Sequence, residues 1–140
     1  MRLLDFRLIC VVSLAGIAGV VMSVAAPADE EASAIGAKWL SLLDDQKYEE
    51  NWSQAASMFR DQVNKQQWAM ALKRSREPMG PVLSRTSSRV DFVKTLREAP
   101  DGDYAIIHFT TSFKNKAGVT ERLTLVKEDG KWRVAAYAVH

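Results

Sequence analysis

Apolar positions recur every three to four residues up to about residue 72, and every second residue beyond Pro81. The first spacing is that of one helix face, the second that of a half-buried strand. Ala32, Ile35, Trp39 and Leu42, with Leu43 beside them, predict a helix over 30–43, closed by the polar turn Asp44-Asp45-Gln46. Trp52, Ala55, Ala56 and Phe59 predict a second helix over 48–59. A third begins at Asn64, which stands three residues before Gln67, the spacing of a capping box. Trp68, Ala71 and Leu72 form its stripe, and Glu77-Pro78 ends it, because the residue before proline is pushed out of helical angles.

Past Gly80-Pro81 a strand is expected over 84–96, alternating around Val90 and Phe92. Pro100-Asp101-Gly102 is a turn, with proline fixing φ and glycine accepting a positive one. In 103–113, Ala105, Ile107, Phe109, Thr111 and Phe113 face one way, and Tyr104, Ile106, His108, Thr110 and Ser112 the other. After a loop at 114–118, Leu123 and Leu125 mark a strand over 120–127. Asp129-Gly130 is a hairpin signal. A last strand over 131–139 is expected to put Trp132, Val134, Ala136 and Ala138 on one side, and Arg133, Ala135, Tyr137 and Val139 on the other.

Three helices followed by four antiparallel strands is an α+β order. Both faces of 104–113 carry apolar residues, as a sheet curved around a helix requires. Nuclear-transport-factor-2-like and cystatin-like folds have this architecture. They leave a conical cavity between the concave sheet face and the helices.

The start of the chain changes the domain count. Arg2 and Arg7 precede a run, residues 8–26, without a charged residue; Ser23, Ala25, Ala26 and Ala28 follow as small residues, and Asp29-Glu30-Glu31 turns the chain acidic. That order is a secretory leader over 1–28, cut after Ala25 or Ala28, with a single domain over 29–140 in the periplasm or secreted. The run is also long enough to span a bilayer, so the alternative is a retained inner-membrane anchor at 8–26, the one route to the membrane. Cys10, the only cysteine, lies in the leader and lacks a small residue before it, which argues against lipidation and leaves the domain without disulfide or thiol chemistry.

Without Arg2, Arg7 and Asp5, the chain's 19 basic and 17 acidic residues come down to a near balance. Duplex nucleic acid is therefore an unsuitable partner, since its binding draws on a surplus of positive charge. The 4 tryptophans all fall in the domain and suit a core built without disulfides.

Several runs together resemble one family. They are Trp39, Trp52, Phe59 and Trp68; Arg76-Glu77-Pro78-Met79-Gly80 with Ser84-Arg85; Pro100-Asp101-Gly102-Asp103-Tyr104; Thr111-Ser112-Phe113-Lys114-Asn115-Lys116 with Glu121; and Asp129-Gly130-Lys131-Trp132-Arg133-Val134 with Tyr137. Their order resembles the bacterial domain of unknown function 4019 across nearly the whole domain. The resemblance implies a small exported domain of nuclear-transport-factor-2-like type. It implies no activity and carries over no catalytic residue.

Metal chemistry has little to stand on: there are 2 histidines, His108 and His140, where zinc takes three or four nitrogen or sulfur ligands. Cofactor and nucleophile motifs (a glycine-rich phosphate loop, an EF-hand, HExxH, GxSxG) do not occur. Asn51-Trp52-Ser53 is a formal glycosylation sequon on an expected helix, read as chance. The enzyme reading places Tyr104 and His108 on one strand face with Asp91 approaching from the preceding strand, as an acid/base group in the cavity. The plainer reading puts Tyr104 and His108 on the outer sheet face. Lys73, Arg74, Arg76, Arg85 and Arg89 flank the Pro78–Pro81 turn, and Lys131 and Arg133 add to them, as a surface for a carboxylate, a phosphate or an acidic partner. The alternative is a solvated face of weak ion pairs. The sequence thus favours a non-catalytic module binding a small apolar ligand or another envelope protein, without cofactor. Its rivals are a cofactor-free proton-transfer enzyme, isomerase- or dehydratase-like, and an interaction module whose interior is filled by its own rings. The state of the cavity separates them.

Overall fold

A computed structural model describes residues 27–140. Among them, four helices precede the sheet: α1 Pro27–Asp44, α2 Tyr48–Ser53, α3 Ser57–Gln62 and α4 Lys65–Ser75. A 3-10 turn at Glu77–Met79 leads into β1 Val82–Val93, β2 Tyr104–Phe113, β3 Lys116–Glu128 and β4 Lys131–Val139. The strands form one antiparallel sheet in the order β1-β2-β3-β4. The fold is α+β, with one helix more than the spacing predicts. The leader assigned to 1–28 lies outside the described residues except for Pro27 and Ala28, which begin α1. No helix among the described residues is long and apolar enough to cross a membrane.

The extra helix comes from a break that apolar spacing does not register. Ala55 and Ala56 are fully buried, in phase with Phe59. Ala56 nevertheless has an extended backbone (φ −61°, ψ 154°), and its N–H donates to the Val134 carbonyl of β4 at 2.8 Å. One carbonyl of the edge strand is thereby covered. Ala56 has no side chain to cap α3, and Glu128 from the β3–β4 hairpin supplies the cap. Its Oε2 accepts from the Ser57 N–H at 3.0 Å and from Ser57 Oγ at 2.7 Å. A carboxylate suits a helix N-terminus, and these bonds hold the Glu128 carboxyl below its ordinary value. The capping box of α4 is present in both halves, Gln67 N–H to Asn64 Oδ1 and Asn64 N–H to Gln67 Oε1.

α1 lies against the sheet at Gly36. A Cβ there would stand 3.1 Å from Leu123 Cδ1 and 3.2 Å from Ile107 Cδ1, so glycine sets how closely helix and sheet approach. The core between them holds Trp39, Leu40 and Leu43 of α1, Phe59, Trp68 and Leu72 from the other helices, and Ile107, Phe109, Leu123, Leu125 and Val134 from the sheet. β2 alternates as its sequence predicts. Asp129 and Gly130 both have positive φ, 52° and 75°, the geometry of a tight type I′ hairpin.

β4 departs from its expected alternation. Leu125 pairs with Val134, but Thr124 pairs with Ala136, so Ala135 is an extra residue, a bulge. Trp132 and Val134 face the core before it. After it the inward positions are Tyr137, opposite Leu123, and Val139, opposite Glu121. Tyr137 therefore joins the core, packing on Trp39 at 5.9 Å and on Trp68 at 6.1 Å between ring centroids.

Candidate functional site

The interior side of the sheet holds one polar cluster. Glu121 occupies an inward position of β3, in phase with Leu123 and Leu125, and is 0% exposed. Arg85 Nε (2.8 Å) and Thr111 Oγ1 (2.7 Å) donate to its Oε1, and the Tyr137 hydroxyl donates to its Oε2 at 2.6 Å. Arg76, just after α4, brings Nη2 to 3.5 Å from Oε2. Asp44, the last residue of α1, takes the other side of both arginines: Arg85 Nη1 and Nη2 donate to it at 2.7 and 2.9 Å, and Arg76 Nη2 also donates to it. Two guanidinium groups thus face two carboxylates, and the buried charge is balanced. A carboxylate ending α1 opposes the helix dipole, so Asp44 depends on these arginines. Arg76 also lies over the Phe113 ring, 5.3 Å from its centroid.

These contacts fix protonation states. Burial pushes the Asp44 carboxyl up, but hydrogen bonds and charge from Arg85 and Arg76 outweigh it and hold the group below its ordinary 3.8. Burial, then the charge of Glu121, pushes the Tyr137 phenol up, so it stays protonated and donates. A carboxyl lower in the fold than in the unfolded chain adds stability that is complete above the unfolded value and is lost as pH falls through the folded one. Asp44→Asn is therefore expected to flatten the stability–pH curve through and below the ordinary aspartate range, as well as lowering stability at neutral pH. Urea midpoints taken stepwise across that range check it; a curve parallel to that of the unaltered protein would count against an ionised Asp44 role.

Above the cluster, a surface cleft of about 270 Å³ is lined by Asp44, Tyr48, Arg76, Glu77, Pro81 and Phe113 among others. The Tyr48 hydroxyl donates to Glu77 Oε1 across it at 3.1 Å. The space between helices and sheet is occupied by Trp39, Phe59, Trp68 and Tyr137, whose ring centroids lie 4.9 to 6.3 Å apart in successive pairs.

The sequence-derived candidates are distributed as follows. Asp91, Tyr104 and His108 share the outer sheet face, but none hydrogen-bonds to another. Asp91 is ion-paired with Arg89, Nε to Oδ2 at 2.7 Å. The Tyr104 hydroxyl donates to the Pro100 carbonyl at 2.6 Å, beneath the turn before β2. His108 stands in register between Arg89 of β1 and Arg122 of β3. The basic group divides: Arg76 and Arg85 turn inward onto Asp44 and Glu121, Arg74 is exposed at the end of α4, and Arg133 lies on β4 with Nε 3.9 Å from Glu128. Sequence reasoning missed Glu121 and Asp44 as a joined pair. Glu121 in phase with Leu123 and Leu125 was the available signal, since a charge on an inward position requires a partner. Among the described residues no group of three or more His, Cys, Asp or Glu is placed to hold a metal ion.

A family model described as "Protein of unknown function (DUF4019)" matches residues 35–137. No curated protein matches the chain.

Proposed function

We propose, from the premise that the chain belongs to the DUF4019 family, a non-catalytic binding module of the bacterial cell envelope that works through its surface. The observation that carries this reading is the filled interior. A proton-transfer catalyst of this architecture needs a carboxylate or imidazole with a free lone pair facing a cavity. Glu121 has its oxygens taken by Arg85, Thr111 and Tyr137, and His108 is on the outer face of the sheet. Rings occupy the space an apolar ligand would need, so recognition falls to the surface clefts. The charge-free run at 8–26 and the small residues after it support export.

Two measurements test this. Intact-mass analysis of the envelope fraction is expected to find a chain beginning at Ala26 or Asp29; an uncut chain confined to the cytoplasm would overturn the export part. Native mass spectrometry of the protein released without denaturant is expected to show a bound small molecule or a second protein. The bare chain alone would overturn the binding part.

A further inference from the structure

Three of the tryptophans spend their indole N–H inside the fold: Trp39 on the Asn51 carbonyl, Trp52 on the Val63 carbonyl and Trp68 on Asn51 Oδ1. Trp132 is different. It is half-buried, and among the described residues its Nε1–H forms no hydrogen bond. That nitrogen is not among the buried atoms left without a partner, so its N–H is open to solvent or to a ligand. Trp132 separates two clefts. Phe92 and Lys127 pack on it in one, at 5.9 and 5.2 Å. The other, about 240 Å³, lies between α1, the segment after α2 and β4, and is lined by Ile35, Lys38, Gln54, Lys131, Trp132 and Arg133 among others.

The charge of that second pocket has one sign. No carboxylate lines it. Lys38 and Lys131 are exposed and form no ion pair among the described residues. Arg133 is only loosely matched by Glu128 at 3.9 Å, whose Oε2 is committed to Ser57. Ile35, Val134 and Trp132 contribute its apolar lining, and Lys38, Lys131 and Arg133 its basic lining.

We propose that this pocket binds a small molecule with a flat apolar body and a single carboxylate. The body would lie against Trp132 and Ile35, with the carboxylate among Lys38, Lys131 and Arg133. This rests on the binding-module reading and names its ligand class. Room of this size suits a ring system, not a polymer, and the unmatched positive charge suits an anion.

The probe is 2-naphthoate, titrated into ¹⁵N-labelled protein expressed from the full chain and followed by its indole N–H resonances. Loss of one resonance in Trp132→Phe assigns that of Trp132, and the three that remain report that the variant is folded. Naphthoate is expected to move the Trp132 resonance saturably, to move that of Trp39, which also lines the pocket, less, and to leave those of Trp52 and Trp68 in place. Neutral 2-naphthalenemethanol is expected to bind at least about tenfold more weakly, a difference of about 1.4 kcal/mol. Lys38→Gln with Lys131→Gln is expected to weaken naphthoate by roughly fivefold or more, as losing two exposed ion pairs would. Equal binding of the alcohol, equal movement of all four indole signals, or no movement at millimolar naphthoate would each overturn the assignment. An adduct in native mass spectrometry beside a silent naphthoate titration would remove this pocket and leave the binding module standing.

Discussion

Glu121→Gln is expected to destabilise the fold by about 3–5 kcal/mol, the usual cost of removing one partner from a buried ion pair. Glutamine keeps the shape and one acceptor oxygen but removes the charge that faces Arg85 and Arg76. Asp44 alone would then balance two guanidinium groups, one on a residue only 5% exposed. Tyr137 and Thr111 would compete for the remaining oxygen with the donors of Arg85. Urea unfolding of the single variant measures the loss. Removing both charges in Glu121→Leu with Arg85→Met, and the donors Glu121 held in Thr111→Val and Tyr137→Phe, should recover a large part of it, since a buried pair replaced by apolar groups is often neutral. A Glu121→Gln cost below about 1 kcal/mol, the range of exposed pairs, would mean the cluster is not the junction between sheet and helices inferred here.

That cluster also shows what the sequence could and could not reveal. The apolar stripes of α1 and α4, the Asn64–Gln67 cap, the alternation of β2 and the Asp129-Gly130 turn are local, and local spacing located them. The break at Ala56 and the bulge at Ala135 are not local. Both follow from what β4 meets across the chain: the Ala56 N–H on one edge and β3 on the other. An uninterrupted period of two cannot show that Tyr137 turns inward after Ala135. Charge has the same limit. Arg74, Arg76 and Arg85 look alike as a basic run, yet only the pairing of β1 with β2, and of β2 with β3, brings Arg85 beside Thr111 and Glu121, the latter 36 residues away. A second group of basic residues lies around Trp132, where Lys38 of α1 lines one pocket with Lys131 and Arg133 of β4. Sequence order gives no hint that those three share a pocket.

Asn51→Ala is expected to cost about 2–4 kcal/mol, from an orphaned buried donor and the cavity left behind. Asn51 is 0% exposed. Its Nδ2 donates to the Trp39 carbonyl at 2.9 Å and its Oδ1 accepts from Trp68 Nε1 at 2.9 Å, while its own carbonyl accepts from Trp39 Nε1 at 3.1 Å. One side chain therefore ties α1, α2 and α4 together at the rings that fill the interior. The same bonds withhold the Asn51 amide from any glycosylating enzyme while the fold is intact, so the sequon there has no accessible acceptor. The backbone bond from Trp39 survives the substitution; the Trp68 N–H loses its only acceptor among the described residues. Asn51→Leu refills the space without restoring that acceptor, so it should recover the cavity part alone. Adding Trp68→Phe to it removes the stranded donor. The double variant should therefore be about 1–3 kcal/mol more stable than the two single changes sum to. Strict additivity in that cycle would show that the two side chains are not coupled, and the rings would then be held by packing alone.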